Sequence, residues 1–205
     1  MKSQKIGLDC YPYCASSTIL SADRAAGATK TLVTWSKPHP EVAGMDLEQI
    51  KREMKLGIDQ LLPAGAIYFS MDEQDVQRIL SFEHTMIGSD GLPHDAAPHP
   101  RLWSTFPRVL GHYARGLGLF PLETAVYKMT GLTARTFGLA DRGVLAPGMA
   151  ADITLFDAGE IDEGASFEKP IAPAKGIDTV IVNGTIVWRD GKSTGARPGQ
   201  VLRRS

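Results

Sequence analysis

One stretch limits what this chain can fold into more than any other. Ala66-Ile67-Tyr68-Phe69 is a short apolar run, and Asp72 to Phe82 then repeats Val76, Ile79 and Leu80 at helical spacing. Thr85-Met86-Ile87-Gly88 is a second apolar run, and it ends at Ser89-Asp90-Gly91. Strand, helix and strand in such close succession form a βαβ unit, which predicts a parallel sheet.

The flanking segments extend the pattern. Ile6 to Tyr11 reads as a short strand running into Pro12, followed by a polar turn, Ala15-Ser16-Ser17-Thr18. Thr31 to Trp35 is β-branched and aromatic, closed by Pro38 and Pro40. From Asp46 to Leu62, residues Leu47, Ile50, Met54, Ile58, Leu61 and Leu62 recur at helical spacing, with Asp46 as N-cap. After Asp90 a Pro- and His-bearing loop runs to Pro100, and helical segments follow at about Leu102 to Arg115 and Leu122 to Phe137. Near Asp141 the composition changes. Turn signals crowd in at Pro147-Gly148, Asn183-Gly184 and Asp190-Gly191, between β-rich runs at Ala151 to Phe156, Ile177 to Val182 and Ile186 to Trp188. The expectation is an α/β body over 1–140 with a small β unit over 141–205.

Charge and cysteine usage remove several function classes. Lys+Arg is 22 against Asp+Glu 23, so no bulk electrostatic attraction to nucleic acid or an anionic membrane is expected. No run approaches the roughly 18 apolar residues of a membrane span. The N-terminus, MKSQKIGLDCYPYC, lacks the apolar core of a signal peptide. The two cysteines, Cys10 and Cys14, make neither a disulfide framework nor a zinc-ribbon spacing, which fits thiols in a reducing cytoplasm. Phosphate-loop motifs are absent, and no G-x-S-x-G elbow surrounds Ser16 or Ser17, so neither has a nucleophile context.

In α/β proteins chemistry gathers past the C-terminal ends of parallel strands. Three such ends are legible: Tyr11-Pro12-Tyr13, Ser70-Met71-Asp72 and Ser89-Asp90-Gly91. Asp90, between Gly88 and Gly91, is open to close approach; it suits a metal ligand or general base, or equally a loop cap. His94 and His99 share its loop and His84 lies just upstream; each is either a ligand or a structural histidine, while His39 and His112 read as scaffold. Arg101 closes the loop, where a guanidinium can hold a carboxylate bidentately or simply bridge the surface. Tyr68 and Met71 suit an apolar pocket wall or the core.

Longer motifs carry a family likeness. Gly88-Ser89-Asp90-Gly91, Leu122-Glu-Thr-Ala-Val-Tyr-Lys-Met-Thr-Gly131, Thr133-Ala-Arg135 with Phe137-Gly-Leu139, Pro147-Gly-Met-Ala-Ala-Asp152 and Val182-Asn-Gly184 resemble the metal-dependent amidohydrolase superfamily. Within it, Asp9-x-Tyr11-Pro-Tyr13 with Ala15-Ser-Ser-Thr18, Pro63-Ala-Gly-Ala-Ile-Tyr-Phe69 and Ile87-Gly-Ser-Asp-Gly-Leu-Pro-His-Asp95 resemble the N-acyl-D-amino-acid deacylases, or D-aminoacylases. The resemblance covers nearly the whole chain. It implies the C-terminal portion of a (β/α)8 TIM-type barrel plus a small β-sandwich unit, and hydrolysis of an N-acyl-D-amino acid. It also implies that Asp90 takes a proton from a metal-bound water and passes it to the leaving amine. By the same matching, Tyr11, Ser17 and Arg101 are implied as partners of the substrate carboxylate, and Tyr68 and Met71 as the side-chain pocket.

The family's metal ligands are a His-x-His pair, a cysteine and two further histidines, all placed before the segment seen here. This chain has no His-x-His, and Cys10 and Cys14 fall on the wrong strand. Asp90 is therefore the one possible metal contact, and zinc, implied for the complete enzyme, is not expected to be held by this chain alone. A partial barrel also leaves strand edges open, which predicts a complementary N-terminal amidohydrolase segment or self-association. Two other readings accompany this one. The chain could be a non-catalytic amidohydrolase-like subunit or relic, or belong to a deacylase of acidic D-amino acids or a cyclic-amide hydrolase; the apolar Tyr68/Met71 wall speaks against acidic side chains.

Overall fold

The structure, a computed structural model, describes residues 6–93 and 95–203. Strand β1 (Leu8–Cys10) leads into β2 (Ala15–Ile19), helix α1 (Ala22–Ala26) and β3 (Lys30–Ser36). Helices α2 (Leu47–Glu53) and α3 (Ile58–Leu61) precede β4 (Ala64–Phe69), α4 (Glu73–Ser81) and β5 (Thr85–Ile87). Helix α5 (Arg101–Arg108) continues as a π-helix over Val109–Gly116, and α6 (Leu122–Met129) and α7 (Gly131–Phe137) follow. The chain ends in β6 (Ile153–Phe156), β7 (Ile177–Val182), β8 (Thr185–Arg189) and β9 (Lys192–Ser193). No helix among the described residues is long and apolar enough to cross a membrane.

The strand–helix–strand stretch forms as expected, but its two strands belong to different sheets. β5 pairs in parallel with β1, Leu8 opposite Thr85 and Cys10 opposite Ile87. β4 instead lies at the centre of an antiparallel sheet, between β2 and β3. The segment expected as a polar turn, Ala15 to Thr18, supplies that extra partner. Ala15 and Ser17 face inward while Ser16 and Thr18 are half-buried, so the two-residue period of a strand is present without apolar residues to reveal it. β4 is thereby covered on both sides, with Ala64 through Tyr68 all buried.

Two long helices expected from periodicity are each broken. The Asp46 carboxylate does cap α2, accepting from the Glu48 and Gln49 N–H groups. The helix stops at Met54 because Lys55 turns left-handed, with φ 60°. Thr130 separates α6 from α7 by leaving the helical region differently, at φ −128° and ψ −88°. In the segment after Arg101, Pro107 has no N–H to give, and the next turns widen to the π spacing, with Leu117 N–H on His112 O at 2.9 Å.

The C-terminal strands form one antiparallel sheet in the order β6-β7-β8-β9. Its hairpins turn on Asn183-Gly184 (φ 45° and 76°) and Asp190-Gly191 (φ 51° and 74°), the paired left-handed residues of a type I′ turn. The connection from β6 to β7 reaches back to the helices. Ile161 lies 1% exposed in a core with Val76, Leu80, Val109 and Tyr113. Among the described residues β1 and β5 pair only with each other, and Ile6 and Leu8 remain exposed beside them.

Candidate active site

A cavity of about 640 Å3 opens beside the end of β5. Tyr11, Ser17, Asp90 and Arg101, which sequence reasoning singled out, all line it. β2 contributes Ser16 to Ile19, and the loop after β5 contributes Leu92, Pro93 and Asp95.

Asp90 follows β5 with φ 47°, a left-handed conformation unusual for a residue with a side chain. The turn is tight because the loop folds directly onto α5. A Cβ at Gly91 would sit 3.0 Å from Leu102 Cα, so no larger residue fits there without a shift. Asp90 Oδ2 is 2.9 Å from Arg101 Nη2. The two partners differ sharply in environment, the Arg101 side chain being 1% exposed and that of Asp90 63%.

Arg101 is otherwise poorly satisfied. Its Nη2 also donates to Ser17 O at 3.4 Å, and its guanidinium lies 4.7 Å from the Tyr11 ring centroid. Nε and Nη1 are buried without a hydrogen-bond partner among the described residues, and so is the Ser17 hydroxyl. Burial pushes the Tyr11 phenol up, with the Arg101 charge opposing.

His99 stands behind this group. Its Nδ1 accepts from Arg101 N–H and its Nε2 lies on Ala15 O, both at 3.0 Å. Burial, reinforced by the Arg101 charge, pushes its pKa down to about 3.

Tyr68 and Met71 lie outside the cavity lining. Tyr68 is 2% exposed in the core, its hydroxyl donating to Ile19 O at 2.8 Å and accepting from Ser21 N–H at 2.9 Å. Met71 is exposed at the surface, its N–H on Cys14 O. Trp35, Arg24 and Gly65 line the cavity in their stead, and sequence reasoning missed all three. Arg24 lies on α1 and Trp35 on β3, so only the antiparallel sheet brings them to Asp90; no local motif announces them.

Among the described residues no group of three or more His, Cys, Asp or Glu is placed to hold a metal ion. His84 is exposed beside Glu83, His39 pairs with Glu41, and His112 packs edge-on to Tyr113. His94 lies outside the described residues. Cys10 and Cys14 are free thiols. Cys14 donates to Glu73 Oε2 at 2.9 Å, and burial together with that carboxylate pushes it up to about 12, far from a ligating thiolate. The described residues therefore do not fit a metal centre.

The model of the amidohydrolase family matches residues 36–188. The chain belongs to the amidohydrolase family. It is 57% identical to D-aminoacylase of Alcaligenes xylosoxydans xylosoxydans, an alignment that takes in 100% of this chain and 43% of that protein. It is 51% identical to the N-acyl-D-aspartate deacylase of the same organism, over 98% of this chain and 41% of the relative. A crystal structure of D-aminoacylase superposes with a TM-score of 0.94 at 59% identity, covering 98% of this chain and 44% of that one. The N-acyl-D-glutamate deacylase of Bordetella bronchiseptica, solved with zinc and a phosphonate inhibitor, gives 0.91 at 49% identity, over 96% and 42%. This amidohydrolase chain thus spans less than half the length of these relatives and matches a C-terminal part of a D-aminoacylase. The α/β fold expected as part of a TIM-type barrel is borne out by these neighbours.

Proposed function

We propose that this chain supplies the carboxylate-binding and proton-transferring wall of an enzyme that hydrolyses N-acyl-D-amino acids to a carboxylate and a free D-amino acid. One observation carries the reading: a fully buried guanidinium whose Nε and Nη1 are unpartnered beside an unpartnered Ser17 hydroxyl, at a cavity edged by a strand-end aspartate. A buried cation with idle donors is costly unless an anion arrives to use them. A planar carboxylate matches the fork of Arg101 and accepts from Ser17 as well. Tyr11 covers the guanidinium face and fixes its plane.

Asp90 is the base and acid of this scheme. Its carboxylate accepts a proton from the water that attacks the acyl carbon, then delivers it to the nitrogen of the departing D-amino acid. D-aminoacylase is described as having a binuclear metal centre. The described residues do not hold one, so zinc in the working enzyme would rest on ligands outside them. In this reading the open edge of β1 receives a complementary N-terminal amidohydrolase segment, and the 205-residue chain alone hydrolyses nothing.

The test is hydrolysis of N-acetyl-D-methionine by the chain joined to such a segment. Asp90→Asn lowers kcat by about 100-fold or more, and Arg101→Met raises KM. Unchanged turnover with Asp90→Asn sinks the proton-transfer role, and activity of the isolated chain sinks the need for a second segment.

A second reading concerns the D-side chain. Arg24 lines the cavity, and two relatives, at 51% and 50% identity, act on N-acyl-D-aspartate and N-acyl-D-glutamate. The apolar wall that spoke against acidic substrates lies outside the cavity. A kcat/KM on N-acetyl-D-glutamate above that on N-acetyl-D-methionine selects this reading.

A further inference from the structure

His99 is buried, and no chemical step above uses it. Its two ring nitrogens nevertheless face groups of opposite kind. Arg101 N–H points at Nδ1, which must therefore carry a lone pair, and Ala15 O points at Nε2, which must carry the proton. The pair selects one neutral tautomer; an imidazolium would set N–H against N–H at Arg101. The ring is wedged edge-on between Tyr13, at 4.9 Å between centroids, and Phe167, at 5.0 Å. Phe167 comes from the β6–β7 connection, so a distant part of the chain braces the ring.

The two backbones tied by His99 are those that present the idle donors. Ala15 and Ser17 share the inward face of β2, so holding Ala15 O sets the height of the Ser17 hydroxyl two residues on. Arg101 Nη2 on Ser17 O closes the circuit on the other side. We propose that His99 is the positioning residue of the carboxylate grip: as the Nε2–H tautomer it clamps the Arg101 backbone to β2 and fixes the gap between guanidinium and Ser17 hydroxyl. This rests on the function proposed above. His99 does not touch substrate; it keeps a rigid two-donor site at one width, the support that a pre-organised site needs.

Two amide side chains separate its bonds. In His99→Asn the amide oxygen takes the place of Nδ1 and keeps the Arg101 N–H bond; in His99→Gln the amide nitrogen takes the place of Nε2 and keeps the Ala15 bond. Both are assayed in the joined, active enzyme on N-acetyl-D-methionine, beside Arg101→Met. His99→Gln is expected to raise KM about tenfold, the equivalent of one net hydrogen bond, with kcat within about twofold. His99→Asn keeps the bond to Arg101 but releases Ala15 O, so it cuts the same tie and is expected to raise KM by a similar factor. A merely structural histidine would cut the folded fraction and leave KM alone. Unchanged KM in both variants while Arg101→Met raises it overturns the clamp and spares the grip; unchanged KM in Arg101→Met overturns both. The 15N spectrum of histidine-labelled, unmutated chain needs no variant to fold. An Nε2–H tautomer at pH 7 supports the clamp, and an Nδ1–H or doubly protonated ring overturns it.

Discussion

Adding one methyl group at Gly111 sets two effects of known sign against each other. Gly111 lies in the π-helix, and replacing a helical glycine by alanine ordinarily gains about 0.5–1 kcal/mol from the unfolded chain. The structure opposes that gain. A Cβ at Gly111 would lie 2.6 Å from Ile161 O and 2.6 Å from Asp162 Oδ1, and the first is backbone. That backbone cannot easily retreat. Ile161 is buried, its carbonyl accepts from Arg115 Nη1 at 2.7 Å, and Ser104 Oγ holds the Gly164 and Ala165 N–H groups just beyond. Yielding means overpacking, about 1–3 kcal/mol, or loss of a hydrogen bond to a charged donor, about 1.5–3 kcal/mol. The clash wins, and Gly111→Ala is expected to lose about 1–2 kcal/mol net. Urea unfolding reads this as a lower midpoint at unchanged slope. A variant as stable as the parent, or more stable, would refute the reasoning, because the β6–β7 connection would then not be seated on the helix.

Three further outcomes follow from single residues. The His99 pKa falls from 6.5 to about 3 on folding; above pH 6.5 it is neutral in both states, and below it only the unfolded chain takes the proton. Stability should then drop by about 1.4 kcal/mol per pH unit on His99's account between those values, so urea midpoints from pH 6 to 4 fall more steeply for the parent than for His99→Gln; equal slopes would contradict it. Cys14, pushed up to about 12 and bonded to Glu73, should react with a disulfide reagent at pH 7.5 at least about tenfold more slowly than in urea, which a stopped-flow thiol assay measures. Asn183→Ala leaves φ 45° to a residue without the local hydrogen bonding that lets asparagine adopt it, and removes the Nδ2 donor to Pro198 O; it should cost about 1–2 kcal/mol, read from the same unfolding curves.

The elements were largely legible in the sequence, and their partners were not. β3, β4, α4 and the two glycine hairpins are written in local patterns of two or 3.6 residues. Sheet membership is set by contacts distant in sequence: β4 and β5 look like neighbours, yet β4 is claimed by β2, whose hydroxyl-rich Ser16-Ser17-Thr18 reads as a turn. Breaks at Lys55 and Thr130 escaped notice because neither is a glycine or a proline. Asp90 stood out by its glycine neighbours and strand-end place, and Arg101 by closing the same loop with a group that can hold a carboxylate, whereas Tyr11 and Ser17 drew their suggested role from family likeness. Arg24 and Trp35 could not be foreseen, since they reach the cavity only through the topology of the antiparallel sheet.

The Asp90–Arg101 pair shows why the cavity, rather than the ion pair, gives meaning to the buried charge. A guanidinium 1% exposed has lost nearly all its hydration, a penalty of several kcal/mol. Asp90 returns little of it, because a carboxylate 63% exposed stays largely hydrated and attracts weakly through a high effective dielectric. The pair also engages Nη2 alone, leaving Nε and Nη1 idle. Stability by itself would favour an apolar residue of similar volume at this position. Burial of the charge with its donors unspent is instead what a site built for an incoming anion requires, since water excluded beforehand need not be displaced when the anion binds. The same reasoning gives Tyr11 its place: a ring against the guanidinium keeps water off one face.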